Sequence, residues 1–261
     1  MTQPLAGLLV VVTRPARQAA RFRQLLDENG AATVAFPALA IEPLPIDAAT
    51  RSALAPDRFD WVVYTSANAV EQSLGQLGRP SLPRIAAIGR ATARALESAG
   101  IHVHAVPSSG ADSEALIALP EFAALDGCRV LIVKGVGGRD ALRRQFTERG
   151  ATVALAEVYR RVSAVPPAGA LEALRRACAT GSAVVAVTSV EGLESLLQLA
   201  PETRVPQLRD ARLLLPGERV AAAARRNGWR GALVVARSAE DDAMLEALLA
   251  GEERDGAPGP A

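Results

Sequence analysis

The chain has 261 residues, of which 49% are hydrophobic and 22% charged, and its formal net charge is +1. This length suits two domains with proper cores, while a near-zero charge and 3% aromatic residues offer nucleic acid neither a basic field nor a stacking platform. No signal peptide opens the sequence, no apolar run reaches the roughly 20 residues that span a bilayer, and Cys128 and Cys178, without CxxC spacing, read as reduced thiols of a cytosolic protein.

Short β-branched runs alternate with longer helical patterns, which predicts parallel sheets covered by helices on both faces. The first strand is Leu8 to Thr13. Its helix spans Ala16 to Asn29, with Phe22, Leu25 and Leu26 on one face and Arg17, Arg21, Gln24 and Glu28 on the other, and Gly30 stops it. A strand at Thr33 to Phe36 runs into FPALAIEPLPI, which its prolines keep extended. Trp61 to Thr65 reads as a buried strand and Ser66 to Leu77 as a helix. Arg84 to Ile88, Ala91 to Ala99 and Val103 to Val106 read as strand, helix and strand, and Ser113 to Leu119 as a short helix capped by Asp112. Later come a strand at Val130 to Gly135, a helix at Asp140 to Arg149 and a strand at Ala151 to Val162. The proline-rich Val162 to Gly169 follows them. Gly251 to Ala261 has no apolar face and is expected to be a disordered tail.

The second half repeats the first, three times and in the same order. VVVTRP at Val10 to Pro15 returns as VLIVKG at Val130 to Gly135. WVVYTSANAV from Trp61 returns as AVVAVTSVEG from Ala183, and RIAAIGRATARALESAG from Arg84 returns as RLLLPGERVAAAARRNG from Arg212. Two copies of one α/β unit make two similar domains with a ligand cleft expected between them. The two proline-rich segments stand at matched places and are the linker candidates, so the chain should cross between the domains twice.

Several enzyme signatures are absent: there is no GxxxxGK[ST], GxSxG or HExxH, and no complete GxGxxG after a strand. His102 and His104 share one strand face, but two ligands without a third make a poor zinc site. What recurs is a set of glycines, small hydroxyl residues and cations at the carboxyl ends of strands, where open α/β sheets bind ligands. These are Thr13-Arg14 and Lys134-Gly135, Thr65-Ser66 and Thr188-Ser189, and Gly89 and Gly217. Hydroxyl donors, free helix N–H groups and the helix dipole favour an anion. Arg14, Lys134 and Arg139 add full charges, Arg being shaped to grip a carboxylate. The competing role for each Ser or Thr is a simple helix cap. Tyr159 ends a strand beside Arg160 and Arg161, a setting that suits proton donation, or else seals a domain edge. Tyr64 reads as core.

Taken in order, TRP near the start, YTSANAV, IGRATARAL, GGRDALRRQF, VYRR and TSVEGL resemble the uroporphyrinogen-III synthase family, from Val12 to Gly251. The resemblance implies two flavodoxin-like α/β domains of parallel sheet, joined by a two-stranded connector with a cleft between them. It implies one domain of about 1–37 plus 166–250, a second of 39–165, and the tail. The activity it implies is closure of hydroxymethylbilane to uroporphyrinogen III with ring D inverted and water released, by a cytoplasmic monomer with no metal or other cofactor. The upstream hydroxymethylbilane synthase would be met only in transient contact, and nucleic acid and membrane not at all. By this analogy Tyr159 is the proton donor, and Asn68 and Thr92, inside two of the motifs, join the residues above as substrate contacts. A two-lobed cytosolic binding protein for a small anionic ligand is the alternative that the residues leave open.

Overall fold

Strands built only of Val, Ile, Leu and Ala satisfy their backbone in a ladder and must bury both faces, so they take the middle of a parallel sheet. The computed structural model describes residues 3–108, 110, 112–137 and 140–256. The chain runs β1 (Leu9–Val12), α1 (Ala16–Glu28), β2 (Ala32–Ala35), β3 (Leu39–Pro43), α2 (Ala48–Ala53), β4 (Trp61–Tyr64) and α3 (Ala67–Leu77). It continues through β5 (Arg84–Ala87), α4 (Arg90–Ser98), α5 (Ser113–Ile117), β6 (Arg129–Gly135), α6 (Ala141–Glu148) and β7 (Thr152–Ser163). It ends with α7 (Ala170–Ala179), β8 (Ala183–Ala186), α8 (Val190–Leu199), β9 (Arg212–Pro216), α9 (Gly217–Arg226), β10 (Leu233–Ala236) and α10 (Asp241–Gly256).

These elements divide into two compact units, Met1–Ala40 with Val162–Ala261, and Ile41–Arg161. The first holds a five-stranded sheet in the order β10-β9-β8-β1-β2, and the second a five-stranded sheet in the order β3-β7-β6-β4-β5. Within the first, Leu9 pairs in parallel with both Ala32 and Ala183, and Val184 with Arg212. Within the second, Trp61 pairs in parallel with both Arg84 and Val130. The sequence repeats match β1 to β6, β8 to β4 and β9 to β5. The matched strands keep one another as neighbours, β9-β8-β1 in the first sheet and β5-β4-β6 in the second, although the chain visits them in a different order.

The unit boundaries fall inside β3 and β7, which lie side by side. The amide of Ala164 donates to Ala38 (3.0 Å) and that of Leu44 to Val158 (3.0 Å), so one strand ascends as the other descends. Pro37 and Pro43 bracket β3, as the fixed proline φ favours at a sheet edge. The predicted strand Val103 to Val106 reduces to a single parallel bridge between Ala86 and Ala105.

Gly251 to Gly256, expected as disordered tail, instead complete α10. The segment has partners outside itself: the Glu252 carboxylate pairs with Arg212 of β9 at 2.6 Å, and Gly251 faces Val234 of β10. Residues 257–261 of that expected tail lie outside the described residues. Among the described residues no helix is long and apolar enough to cross a membrane. Cys128 and Cys178 are free thiols, and burial pushes Cys178 up to about 11.

A short hydroxyl chain fixes β7 and the residue just before β3 to α8. Buried Ser195 donates through Oγ to the carbonyl of Ala38 (2.7 Å) and accepts from Ser163 Oγ (2.7 Å). The Ser195→Ala variant should therefore lose about 1 kcal/mol of stability. Urea unfolding checks this, and an unchanged midpoint would show that the chain is idle.

Candidate active site

In the unit formed by Ile41–Arg161, the carboxyl ends of β4, β6 and β7 converge on a pocket of about 160 Å³ whose walls include Thr65, Lys134, Gly135, Tyr159 and Arg161. Its shape originates in a slip of register. Lys134 pairs with Glu157, but the next residue, Gly135, pairs with Tyr159, leaving Val158 as the extra residue of a bulge. A bulge breaks the alternation of a strand and re-aims its side chains. Here Val158 and Tyr159 are consecutive and both buried.

Gly135 then makes room for the ring. A Cβ at this position would lie 2.5 Å from Tyr159 Cζ and 2.7 Å from Cε2, closer than any side chain tolerates. The ring lies flat over a backbone without a side chain, and the amide of Val136 donates to the Tyr159 carbonyl at 2.8 Å.

The Tyr159 hydroxyl is the polar atom in this packing. Ser66 Oγ lies 3.0 Å from it, and Arg161 Nη2 donates to it at 3.2 Å. The Arg161 guanidinium also sits 5.6 Å from the ring centroid. Ser66 itself is the N-cap of α3 and accepts the Ala69 amide at 3.0 Å. The capping role weighed from the sequence is thus filled by the same hydroxyl that meets Tyr159. Tyr64 differs: its phenol is pushed up to about 12 by burial and belongs to the core.

The two arginines after Tyr159 separate. Adjacency in sequence puts both guanidinium groups near the phenol, but only Arg161 reaches it. Arg160 points the other way and grips Glu42 of β3 with two bonds (2.7 and 3.1 Å), because strand side chains alternate. The same alternation puts residues 159 and 161 on one face and was the signal by which Arg161 could have been chosen. Asp140 and Arg143, also on the pocket wall, pair with each other. That contact, with a smaller contribution from Lys134, holds the Asp140 carboxyl below its ordinary range.

The other expected contacts are distributed as follows. The Thr65 hydroxyl donates to the Val133 carbonyl (3.2 Å). Asn68 and Thr92 are buried in the first turns of α3 and α4, and Gly89 caps α4 without a side chain. Arg139 lies outside the described residues. In the other unit, Ser189 caps α8 by accepting the Gly192 amide (3.0 Å), with Thr188 before it, and Gly217 opens α9 at φ +69. Arg14 is paired with Asp241 of α10, donates to the Ala239 carbonyl at 2.8 Å, and lies over the Phe22 ring. His102 and His104 meet edge to face at 4.8 Å, and His104 Nδ1 accepts the Ile85 amide at 3.1 Å.

Gly135→Ala should press a methyl into the Tyr159 ring and cost about 1–3 kcal/mol through overpacking. Thermal melting checks the loss, and a variant as stable as the parent would mean that the ring has room to withdraw.

A family model described as uroporphyrinogen-III synthase HemD matches residues 20–246. The chain is 37% identical to the uroporphyrinogen-III synthase of Escherichia coli (strain K12) over 246 residues, covering 92% of this chain and 99% of that protein. It is also 37% identical to the enzyme of that name from Salmonella typhimurium over 248 residues, with the same coverage. In fold it is similar to the uroporphyrinogen III synthase of Thermus thermophilus (TM-score 0.56, 23% identity, 95% of this chain and 100% of that one). It is likewise similar to the uroporphyrinogen-III synthetase of Helicobacter pylori 26695 (TM-score 0.59, 17% identity, 92% and 98%).

Proposed function

The chain belongs to the uroporphyrinogen-III synthase family, and on that footing we propose that the pocket around Tyr159 performs the proton transfer that starts ring closure. The protein is a cyclising lyase of tetrapyrrole biosynthesis. It closes hydroxymethylbilane to uroporphyrinogen III with ring D inverted and releases water. The observation that supports the assignment of the step is the Tyr159 hydroxyl, on a pocket wall, with Arg161 and Ser66 against its oxygen.

In this reading Tyr159 gives its proton to the hydroxymethyl oxygen, and the C–O bond breaks as the pyrrole nitrogen supplies electrons. Water leaves, and an azafulvene cation remains. A substituted carbon of ring D attacks that cation. The resulting spiro intermediate fragments and recloses with the ring turned over. The linear substrate also closes by itself, so the protein's main task is to decide which carbon reacts. That is a matter of positioning and of stabilising transient charge, for which no protein nucleophile is needed.

Lys134 supplies a cation on the pocket wall for a substrate carboxylate. The turns at Gly89, Ser189 and Gly217 offer further donors, and Arg14, its charge balanced by Asp241, would contact substrate only as a hydrogen-bond donor. The proposal includes a cytoplasmic monomer in transient contact with hydroxymethylbilane synthase, since hand-over shortens the life of a substrate that cyclises unaided.

Incubation with freshly made hydroxymethylbilane should yield uroporphyrinogen III in place of isomer I. An isomer I fraction unchanged at saturating protein would overturn the reading. Lys134→Ala should raise KM for hydroxymethylbilane more than it lowers kcat, because an anchoring charge acts on bound substrate and transition state alike. A fall confined to kcat would move Lys134 from anchoring to chemistry.

A further inference from the structure

We propose that Ser66 and Arg161 are positioning residues that aim the Tyr159 proton into the pocket and hold the phenolate once the proton has gone. The inference rests on the reading of Tyr159 as proton donor and assigns the two groups that make it one.

Hydrogens and lone pairs at these two oxygens limit how they can bond. A phenol oxygen has one hydrogen and two acceptor sites. Arg161 has no lone pair to offer, so its Nη2 can only donate, and it fills one acceptor site at 3.2 Å. Ser66 Oγ already receives the Ala69 amide, which leaves it one hydrogen and one acceptor site. Its 3.0 Å contact with Tyr159 can therefore run in either direction. When Tyr159 donates to Ser66, the phenolic hydrogen is parked. When Ser66 donates to Tyr159, both acceptor sites on the phenol are filled, and its hydrogen has only the pocket to turn to.

A substrate hydroxyl in the pocket favours the second arrangement, because it gives the phenolic hydrogen a partner. Transfer then breaks the Tyr159 O–H bond and the substrate C–O bond. The products are water, the substrate cation and a tyrosinate that accepts from both Ser66 and Arg161. The proton released when the closing macrocycle regains aromaticity restores the phenol, so the residue finishes as it began.

The surroundings favour rotation of hydrogens over movement of heavy atoms. Gly135 pins the ring from one side. The Ser66 oxygen is fixed by its capping bond to α3. Ser66 is not among the residues that line the pocket, so it acts through Tyr159 and not on substrate.

A double-mutant cycle tests this. Ser66→Gly removes the hydroxyl and keeps a residue that is tolerated at an N-cap, and Arg161→Met removes the donor and keeps an apolar stem. Each should lower kcat for hydroxymethylbilane about 10-fold, as expected for a hydrogen bond to a charged oxygen, with KM little changed. Combined with Tyr159→Phe, neither should lower kcat further, because the atom they serve is gone. Arg161→Lys and Ser66→Thr, which still donate, should recover part of the loss. Losses that multiply in the Tyr159→Phe background would show a structural role and overturn the proposal. Full activity of Ser66→Gly and Arg161→Met beside an impaired Tyr159→Phe would overturn it while leaving the tyrosine reading intact. A fully active Tyr159→Phe would overturn both. Melting curves for every variant separate loss of fold from loss of function.

Discussion

The arrangement at the site depends on one close approach, that of the Tyr159 ring to the bare backbone of Gly135. Without the register slip that pairs these residues, Tyr159 would fall on the opposite face of β7 from the one it now occupies. Without the missing Cβ, the ring could not lie where its hydroxyl meets Ser66 and Arg161. A local irregularity in one strand pair therefore decides where the Tyr159 hydroxyl sits, while the regular ladder around it supplies the rigidity.

Duplication of the scaffold did not duplicate the chemistry. Both units keep the three matched strands in one spatial order, and both cap a helix with a serine at the same step, Ser66 in one and Ser189 in the other. Yet where one copy has Lys134-Gly135, the other has Arg14-Pro15. Pro15 carries a ring where Gly135 has nothing, and the Arg14 charge is taken up by Asp241. The two units thus share a way of presenting helix N–H groups, but the buried phenol with its two polar partners belongs to one of them. Such a division suits a reaction in which much of the work is holding a flexible anionic chain and a small part is moving one proton.

Much of the fold was legible because its signals are local. Runs such as LVVV and WVVY, glycines after helices, and the threefold repeat carry the strand positions directly in residue type. The site was legible in outline for the same reason, since TS and KG steps mark the ends of strands. What remained hidden depends on contacts distant in sequence or on counting one residue along a strand. The Asp241 partner of Arg14 lies 227 residues away. Only Arg161, not Arg160, shares the face of Tyr159, which alternation implies once the strand is known. The bulge at Val158 has no composition of its own, and the Arg212 partner of Glu252 lies far outside the segment Gly251 to Gly256.

The most direct test of the account is a crystal structure of the protein with uroporphyrinogen III bound. A bridging carbon next to ring D should lie beside Tyr159, within reach of its hydroxyl, and a carboxylate against Lys134. A macrocycle bound away from the pocket of Thr65, Lys134, Gly135 and Tyr159 would contradict it.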